Sequence, residues 1–340
     1  MIASVLKQPR RLELREVPLP KPEPHEVIVK VGCVGICGTD VAVYRGDYKA
    51  KDEVILGHEF NGKVVEIGSH VRKVSVGDHV VSLASWGCGT CHWCTGGLPS
   101  YCNSPVSLGR TKDGALAEYI KLPENALFKV APELSPISAH AVVNLSTALR
   151  AVHRAGLGIG DKVLIMGPGF SGLMIVQLCR LAGCSMVVMA GTRQGRLSIA
   201  RELGADMVVN IREESDWEKR LLQETSGLGF DVCIEASGTA SGLLSAVKLV
   251  KKGGKVVQFG TSYQTINGLP QNDFYTKEIS LIGSKGGFGF YQKAIQLLEQ
   301  DLIKIRPLVT HQFGLNEASD VFEAIVEKKF DDLLRAVVFC

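Results

Sequence analysis

The stretch Gly167-Pro168-Gly169-Phe170-Ser171-Gly172 decides the fold of the central part of this chain. It follows an apolar run at residues 161–166, which predicts a buried strand, and precedes a run to residue 181, which predicts a helix. Glycines between a strand and a helix let the backbone approach a pyrophosphate, and the helix N-terminus offers N–H groups and positive dipole. The stretch therefore predicts a dinucleotide site formed by Gly167, Gly169, Phe170, Ser171 and Gly172.

The end of the next predicted strand indicates which dinucleotide is preferred. The apolar residues 185–190 are followed by Gly191-Thr192-Arg193-Gln194-Gly195-Arg196, and no acid lies between residues 182 and 202. An NAD site usually has an acid at this strand end, which binds the ribose hydroxyls, whereas a nearby arginine accommodates the 2′-phosphate of NADP. We therefore predict NADP(H) in preference to NAD(H). The alternative is a solvated turn with an arginine at a helix start. The predicted contacts are Gly191, Thr192, Arg193 and Arg196.

The pattern of apolar residues, prolines and glycines changes twice along the chain, which predicts three segments. Residues 1–148 carry short alternating apolar runs between prolines and glycines, typical of a β-rich domain. Residues 149–285 alternate strand and helix patterns, typical of a doubly wound parallel sheet. Residues 286–340 contain a helical and a strand pattern that we expect to return to the first domain. The chain is therefore predicted to be a two-domain α/β protein.

A cysteine, a histidine and a glutamate in the β-rich part form a candidate metal site. Cys37 lies in Gly35-Ile36-Cys37-Gly38-Thr39-Asp40, and the pair His58-Glu59 follows Gly57. Zinc in catalytic sites takes about three ligands of these types and keeps a position for water or substrate. On spacing alone, a free core cysteine beside a hydrogen-bonded His–Glu pair is an equal alternative.

A second cluster consists of cysteines only. Cys88, Cys91, Cys94 and Cys102 lie within one glycine-rich stretch, which has little apolar surface to bury. Four thiolates at this spacing predict a closed tetrahedral zinc site with a structural role. A redox pair and two disulfides are the alternatives, and a reducing compartment disfavours both.

Two motifs resemble those of the zinc-containing medium-chain alcohol and polyol dehydrogenases. They are Gly-Ile-Cys-Gly-Thr-Asp at residues 35–40 and Gly-His-Glu-x-x-Gly-x-x-x-x-x-Gly-x-x-Val at residues 57–71, and the likeness extends over almost the whole chain. The resemblance implies a GroES-like catalytic domain, a Rossmann domain, one catalytic and one structural zinc, and hydride transfer between NADP(H) and an alcohol, polyol or sugar. It also implies that Thr39 relays the alcohol proton, that Asp40 orients His58, and that Gly260 lies along the nicotinamide. Asp40 is equally suited to cap a helix start.

Two residues depart from the family pattern. Val143 stands near the position where relatives often have a further metal ligand, so water would complete the site unless His140 or Asn144 contributes. Ala42 stands where many relatives have a histidine that passes the proton to solvent. Two other hypotheses stay open, of which these departures motivate the first. One is a non-catalytic dinucleotide-binding protein on the same fold, and the other is an NAD-dependent polyol dehydrogenase.

Composition excludes several classes of partner. The 340 residues are 46% hydrophobic and 21% charged, as in soluble globular proteins, and the net charge is +3 without a long basic run. We therefore expect no nucleic acid and no membrane partner, but a small-molecule alcohol or polyol substrate. The first residues have too short an apolar run for a signal peptide, so ten cysteines predict reduced thiols in the cytoplasm. The resemblance implies a homotetramer or a dimer.

Overall fold

A computed structural model describes residues 1–261 and 265–340 of the chain. Its contacts divide into two compact units, of which the first comprises Met1–Asn144 and Tyr291–Cys340 and the second Leu145–Phe290. The domain boundaries expected from the sequence lie after residues 148 and 285. None of the described helices is long and apolar enough to cross a membrane.

The described residues form the following strands and helices, in chain order. The strands are β1 (Ile2–Gln8), β2 (Arg11–Glu16), β3 (Glu26–Gly35), β4 (Val54–Ile55), β5 (Glu59–Ile67), β6 (His79–Ser82), β7 (Ser85–Trp86), β8 (Val106–Ser107), β9 (Tyr119–Pro123), β10 (Leu127–Lys129), β11 (Lys162–Met166), β12 (Met186–Gly191), β13 (Met207–Asn210), β14 (Phe230–Glu235), β15 (Val250–Gln258), β16 (Ser280–Gly283), β17 (His311–Gly314) and β18 (Ala336–Phe339). The α-helices are α1 (Gly38–Arg45), α2 (His92–Thr95), α3 (Pro136–Ala139), α4 (Val142–Ala155), α5 (Phe170–Leu181), α6 (Gln194–Glu202), α7 (Trp217–Glu224), α8 (Ala240–Leu249), α9 (Gln271–Lys277), α10 (Tyr291–Glu299) and α11 (Ala318–Val326). Short 3-10 helices lie at Pro99–Tyr101, Glu124–Ala126, Arg306–Leu308 and Leu315–Glu317.

The second unit is built on one parallel sheet with the strand order β13-β12-β11-β14-β15-β16. Numbered within the unit, this is the order 3-2-1-4-5-6 of the Rossmann fold. The central strand β11 carries Val163, Leu164 and Ile165, each completely buried, because helices cover both faces of such a sheet. The predicted doubly wound sheet is confirmed.

The first unit contains all of the remaining described strands. Strand β3 is the longest and pairs with β5, β9 and β18 in a seven-stranded sheet, while β2, β1 and β4 form a separate sheet. The GroES-like, β-rich character expected of this part is confirmed. At residues 74–82 the sequence predicts strand texture with Gly77-Asp78 as a turn that enters a strand, and the structure has that strand at β6. Asp78 Oδ2 accepts the Ser75 N–H over 2.8 Å and Gly77 has φ = +98°, so the preceding residues form a turn.

Candidate metal and dinucleotide sites

The first candidate metal site joins two short stretches of the first unit. Cys37 directly precedes α1, and His58 directly precedes Glu59 at the start of β5. The sulfur, an imidazole nitrogen and a carboxylate oxygen of these residues lie within 4.8 Å of one another. Zinc binds such atoms at about 2.0–2.3 Å, so atoms of this type at this spacing suit one ion after small side-chain movements. The donor set therefore fits zinc.

Two glycines determine the path of the backbone at His58. Gly57 has φ = +91°, a left-handed conformation that glycine adopts without steric cost. A Cβ on Gly114 would lie 2.1 Å from the Gly57 carbonyl oxygen, so only glycine allows this approach. The Ala115 N–H then donates to the same oxygen over 2.9 Å. The segment that begins at Gly114 thus holds the turn before His58 in place.

Asp40 connects the two stretches that form the site. Its Oδ1 lies 3.0 Å from His58 Nδ1 and accepts the Gly57 N–H over 3.1 Å, while its Oδ2 accepts the Cys37 N–H over 3.0 Å. The carboxylate therefore orients the imidazole and also caps the start of α1. Because Nδ1 is engaged, Nε2 is the ring nitrogen available to a metal, and it lies 3.6 Å from Glu59 Oε1.

Each of Cys37, His58 and Asp40 is stabilised in its charged form by a neighbour in this group. Burial opposes ionisation of Cys37, yet the hydrogen bond and charge of His58 hold the thiol pKa below its usual value. Burial also opposes charge on His58, but Asp40 raises the histidine pKa well above its usual value. The pKa of Asp40 is lowered by His58 against the effect of burial. A metal ion binds the thiolate and the neutral imidazole, so it would compete with the proton on His58.

Glu59 is buried and held by side chains from distant parts of the first unit. The Arg335 guanidinium contacts Glu59 Oε2, and the Asn144 amide donates to Glu59 Oε1 over 2.7 Å. Burial lowers the pKa of Arg335 to about 10, so the guanidinium keeps its charge at neutral pH. It also donates to the Ile36 carbonyl oxygen over 2.8 Å. Arg335 lies just before β18, and no local sequence pattern marks it as part of the site.

The residues considered as additional ligands have other roles. His140 Nδ1 donates to the Ile137 carbonyl oxygen over 2.6 Å, and Nε2 accepts from Arg335 Nε over 3.4 Å. Burial lowers the pKa of His140 to about 4, which keeps the ring neutral. Asn144 is directed to Glu59, and Val143 has no donor atom in its side chain. The ligand atoms that the structure brings together here are therefore those of Cys37, His58 and Glu59.

The second candidate metal site is the four-cysteine group, Cys88, Cys91, Cys94 and Cys102, whose sulfur atoms lie within 4.8 Å of one another. The Cys88 N–H donates to Cys102 Sγ over 3.2 Å, and the Cys91 N–H donates to Cys88 Sγ over 3.4 Å. A Cβ on Gly87 would lie 2.4 Å from Cys94 Sγ, so glycine leaves room for that sulfur. All ten cysteines, each within the described residues, are unpaired thiols. Four sulfurs in this arrangement suit a closed tetrahedral zinc site.

In the second unit, the glycine-rich stretch forms the turn between β11 and α5. Gly167 has φ = +108°, and a Cβ there would lie 2.7 Å from the Ser237 backbone nitrogen. Gly169 is the residue before the first turn of α5. A Cβ on Gly172 would lie 2.1 Å from the Gly167 carbonyl oxygen, so glycine lets the helix pack on the turn. The N-terminus of α5 thus lies where a pyrophosphate binds in this fold.

A cavity of about 500 Å³ begins at this turn. Its lining includes six of the predicted cofactor contacts, which are Gly167, Gly169, Gly191, Thr192, Arg193 and Arg196. Four other predicted contacts, Phe170, Ser171, Gly172 and Gly260, do not line it. Gly260 instead allows two loops to pack closely, because a Cβ there would lie 2.2 Å from the Gly238 backbone nitrogen.

Arg193 and Arg196 place two cations on the wall of this cavity. Arg193 precedes α6 and Arg196 lies in its first turn. Burial, and to a smaller extent the charge of Arg193, lowers the pKa of Arg196 to about 10. Glu218 is an acid in the lining, but it accepts from Ser245 Oγ over 2.8 Å and pairs with a lysine. Two adjacent arginines suit an anionic ligand such as a phosphate.

The loop after β14, which contributes Ala236 and Ser237 to the lining, is held by Glu235, a residue that the sequence alone does not mark. Its completely buried carboxylate accepts the Ser237 N–H over 2.7 Å, the Gly238 N–H over 3.0 Å and Gln258 Nε2–H over 3.1 Å. These bonds join the loop after β14 to the end of β15. In the sequence, Glu235 is only an acid at a strand end, and its burial depends on the neighbouring strand.

Comparison with known proteins supports the assignment of both units. Residues 23–132 match the family described as the alcohol dehydrogenase GroES-like domain, and residues 172–300 match the family described as zinc-binding dehydrogenase. The sorbitol dehydrogenase of Halalkalibacterium halodurans is 31% identical to this chain, over 92% of the chain and 92% of its own length. The similarity thus extends over nearly the whole of both proteins.

Solved structures agree over the same extent. A zinc-binding dehydrogenase of Sinorhizobium meliloti bound to NADP has a TM-score of 0.95 and 29% identity, over 100% of this chain and 99% of that chain. An Escherichia coli protein described as a short chain alcohol dehydrogenase, complexed with NADH, has a TM-score of 0.92 and 28% identity over the same shares. From its sequence matches and its two-domain fold, this chain belongs to the zinc-containing medium-chain dehydrogenase family.

Proposed function

We propose that this protein transfers a hydride between NADP(H) and an alcohol, polyol or sugar, or the matching carbonyl compound, with one catalytic and one structural zinc. Membership of the family makes the chain a zinc-type oxidoreductase that acts on CH–OH groups of small molecules with a nicotinamide cofactor. The observation that carries the proposal is the cluster of Cys37, His58 and Glu59 with Asp40 behind the histidine. Three ligands leave a coordination position for a substrate oxygen, which a purely structural site lacks.

The side chains around the cluster have separate roles in this proposal. Zinc, when bound, supplies Lewis acidity toward the substrate oxygen, and the nicotinamide supplies or accepts the hydride. Asp40 keeps the His58 ring oriented through Nδ1. Thr39, partly exposed in the first turn of α1, offers a hydroxyl that would relay the alcohol proton, accepting it while its own proton passes on. Ala42 cannot pass this proton onward, so we propose that water receives it directly.

The preference for NADP(H) rests on charge at the end of β12. Gly191 provides no carboxylate for the ribose hydroxyls, and Arg193 and Arg196 line the same cavity. A 2′-phosphate would lie against two guanidinium groups that otherwise repel each other. The relative bound to NADP supports this preference. The relative complexed with NADH supports the alternative, an NAD-dependent enzyme.

Replacing both arginines by glutamine should weaken NADPH binding by at least about tenfold and leave NADH binding within about twofold. The reason is that a hydrogen bond to a charged group contributes about 1.5–3 kcal/mol, and only NADPH carries the phosphate. Nicotinamide fluorescence titration measures both affinities. Arg201→Gln, later on the same helix α6 and outside the cavity lining, is the matched control. Equal losses for NADPH and NADH would contradict the preference.

We also propose that the chain assembles as a homotetramer or a dimer in the cytoplasm. Strand β16 is an edge strand of the parallel sheet, with Leu281 43% exposed, and Tyr275 on the neighbouring α9 is 85% exposed. Within residues 1–261 and 265–340, no strand pairs with the outer side of β16, and such an edge beside exposed apolar side chains favours contact with a second copy. Light scattering should therefore give the mass of four or two chains, and a monomer at micromolar concentration would contradict this.

The proposed location in the cytoplasm rests on the cysteines. They are unpaired thiols, which suit a reducing compartment.

A further inference from the structure

The carboxylate of Glu59 presents its two oxygens to different surroundings. Oε1 lies 3.6 Å from His58 Nε2, the ring nitrogen available to a metal. Oε2 contacts the guanidinium of Arg335. Only Oε1 therefore faces the position between the three ligands, and Glu59 can offer a metal one oxygen rather than two.

The amide of Asn144 binds this same oxygen. Its Nδ2 donates to Glu59 Oε1 over 2.7 Å, and its Oδ1 accepts from Arg335 over 3.3 Å. A carboxylate oxygen has two lone pairs, so it can accept one N–H and still bind a metal. Carboxylates that bind metals are themselves held by hydrogen bonds, which fix the direction of the free lone pair.

Asn144 lies in α4, and the buried guanidinium of Arg335 also holds its side chain in position. Arg335 is 5% exposed and fills space left by Gly35, where a Cβ would lie 2.2 Å from the guanidinium. Its other nitrogens bond the Ile36 carbonyl oxygen over 2.8 Å and His140 Nε2 over 3.4 Å. With the guanidinium held on these sides, the amide and the carboxylate that it contacts are held as well.

We propose that Asn144 is a positioning residue, which holds Glu59 as a one-oxygen metal ligand at a site where the adjacent Val143 provides no ligand. The inference rests on the proposed function, because it requires zinc at Cys37, His58 and Glu59. With three protein ligands, each ligand carries a larger share of the binding, so the direction of Glu59 Oε1 matters more than in a site with four.

Asn144→Ala should lower zinc affinity at this site by about 10–100-fold, the usual effect of removing a partner that holds a metal ligand. Titration against a chromogenic chelator measures this affinity. The binding step that is missing in Cys37→Ser is the one that belongs to this site. Zinc at the four-cysteine group should be unchanged. If the alanine variant folds poorly, Asn144→Leu keeps the side-chain volume without the donor and takes its place.

Asn61→Ala is the matched control. Asn61 is also buried in the first unit, but its Nδ2 bonds the Pro136 carbonyl oxygen over 2.8 Å and Cys33 Sγ over 3.1 Å. We expect this variant to lose stability and to keep zinc affinity within about twofold. Unchanged zinc affinity in Asn144→Ala and Asn144→Leu would overturn the proposal, as would an equal loss in Asn61→Ala. A wild-type protein without zinc at Cys37 would instead overturn the proposed function.

Discussion

Cys37→Ser lowers the oxidation rate of the best alcohol substrate by about a thousandfold or more. A serine hydroxyl does not ionise near neutral pH, so the cluster loses the anionic sulfur and keeps only His58 and Glu59. Lewis acidity at the substrate oxygen contributes several kcal/mol, and each 1.36 kcal/mol corresponds to a tenfold change in rate. Reduction of NADP⁺ followed by absorbance, over a panel of alcohols and polyols, measures the effect.

Cys340→Ser is the control for this substitution. Cys340 lies outside both candidate metal sites, and its thiol donates to the Ala115 carbonyl oxygen over 3.7 Å. Activity close to that of the wild type is expected. The hypothesis of a non-catalytic dinucleotide-binding protein predicts a different pattern, in which wild type and Cys37→Ser bind NADPH equally and neither turns over any substrate of the panel.

Arg335→Met should reduce the free energy of unfolding by about 3–5 kcal/mol. Methionine fills part of the space but leaves the buried carboxylate of Glu59 without its cation, and removing one partner of a buried pair typically has this effect. The melting temperature should fall by on the order of 10 °C. Thermal unfolding at equal zinc content measures the change.

An exposed ion pair of the same unit provides the comparison. Arg10 lies 3.4 Å from Glu323, and their side chains are 53% and 36% exposed. Solvent screens such a pair, so Arg10→Met should change stability by less than about 1 kcal/mol. A loss in Arg335→Met no larger than in Arg10→Met would mean that the buried guanidinium does not stabilise Glu59.

The parts of the fold that sequence predicts well depend on local patterns. The turn Gly167-Pro168-Gly169 is marked by Gly167, where φ = +108° and a Cβ would lie 2.7 Å from the Ser237 backbone nitrogen, and the strand and helix on its two sides have clear apolar runs. The four cysteines are equally local, since all lie between residues 88 and 102. The turn at Gly77-Asp78, which enters β6, is also marked by local residues, since Gly77 has φ = +98° and Asp78 Oδ2 accepts the Ser75 N–H there.

The site residues that sequence does not mark depend on contacts between distant segments. Arg335 bonds Ile36, 299 residues earlier, and reaches Glu59 only because β18 pairs with β3. Asn144 enters the sequence prediction as a possible extra ligand, whereas its amide is bonded to Glu59. Glu235 is completely buried, and its carboxylate accepts from Gln258 on the neighbouring strand β15. No pattern within one segment specifies these partners.

Zinc content per chain, determined by elemental analysis of purified wild type and Cys37→Ser, tests the central claim most directly. That claim is a catalytic zinc at Cys37, His58 and Glu59 beside a structural zinc at the four-cysteine group. The account predicts two zinc ions in the wild type and one in the variant. One zinc in both proteins would contradict it, because only the four-cysteine group would then hold metal.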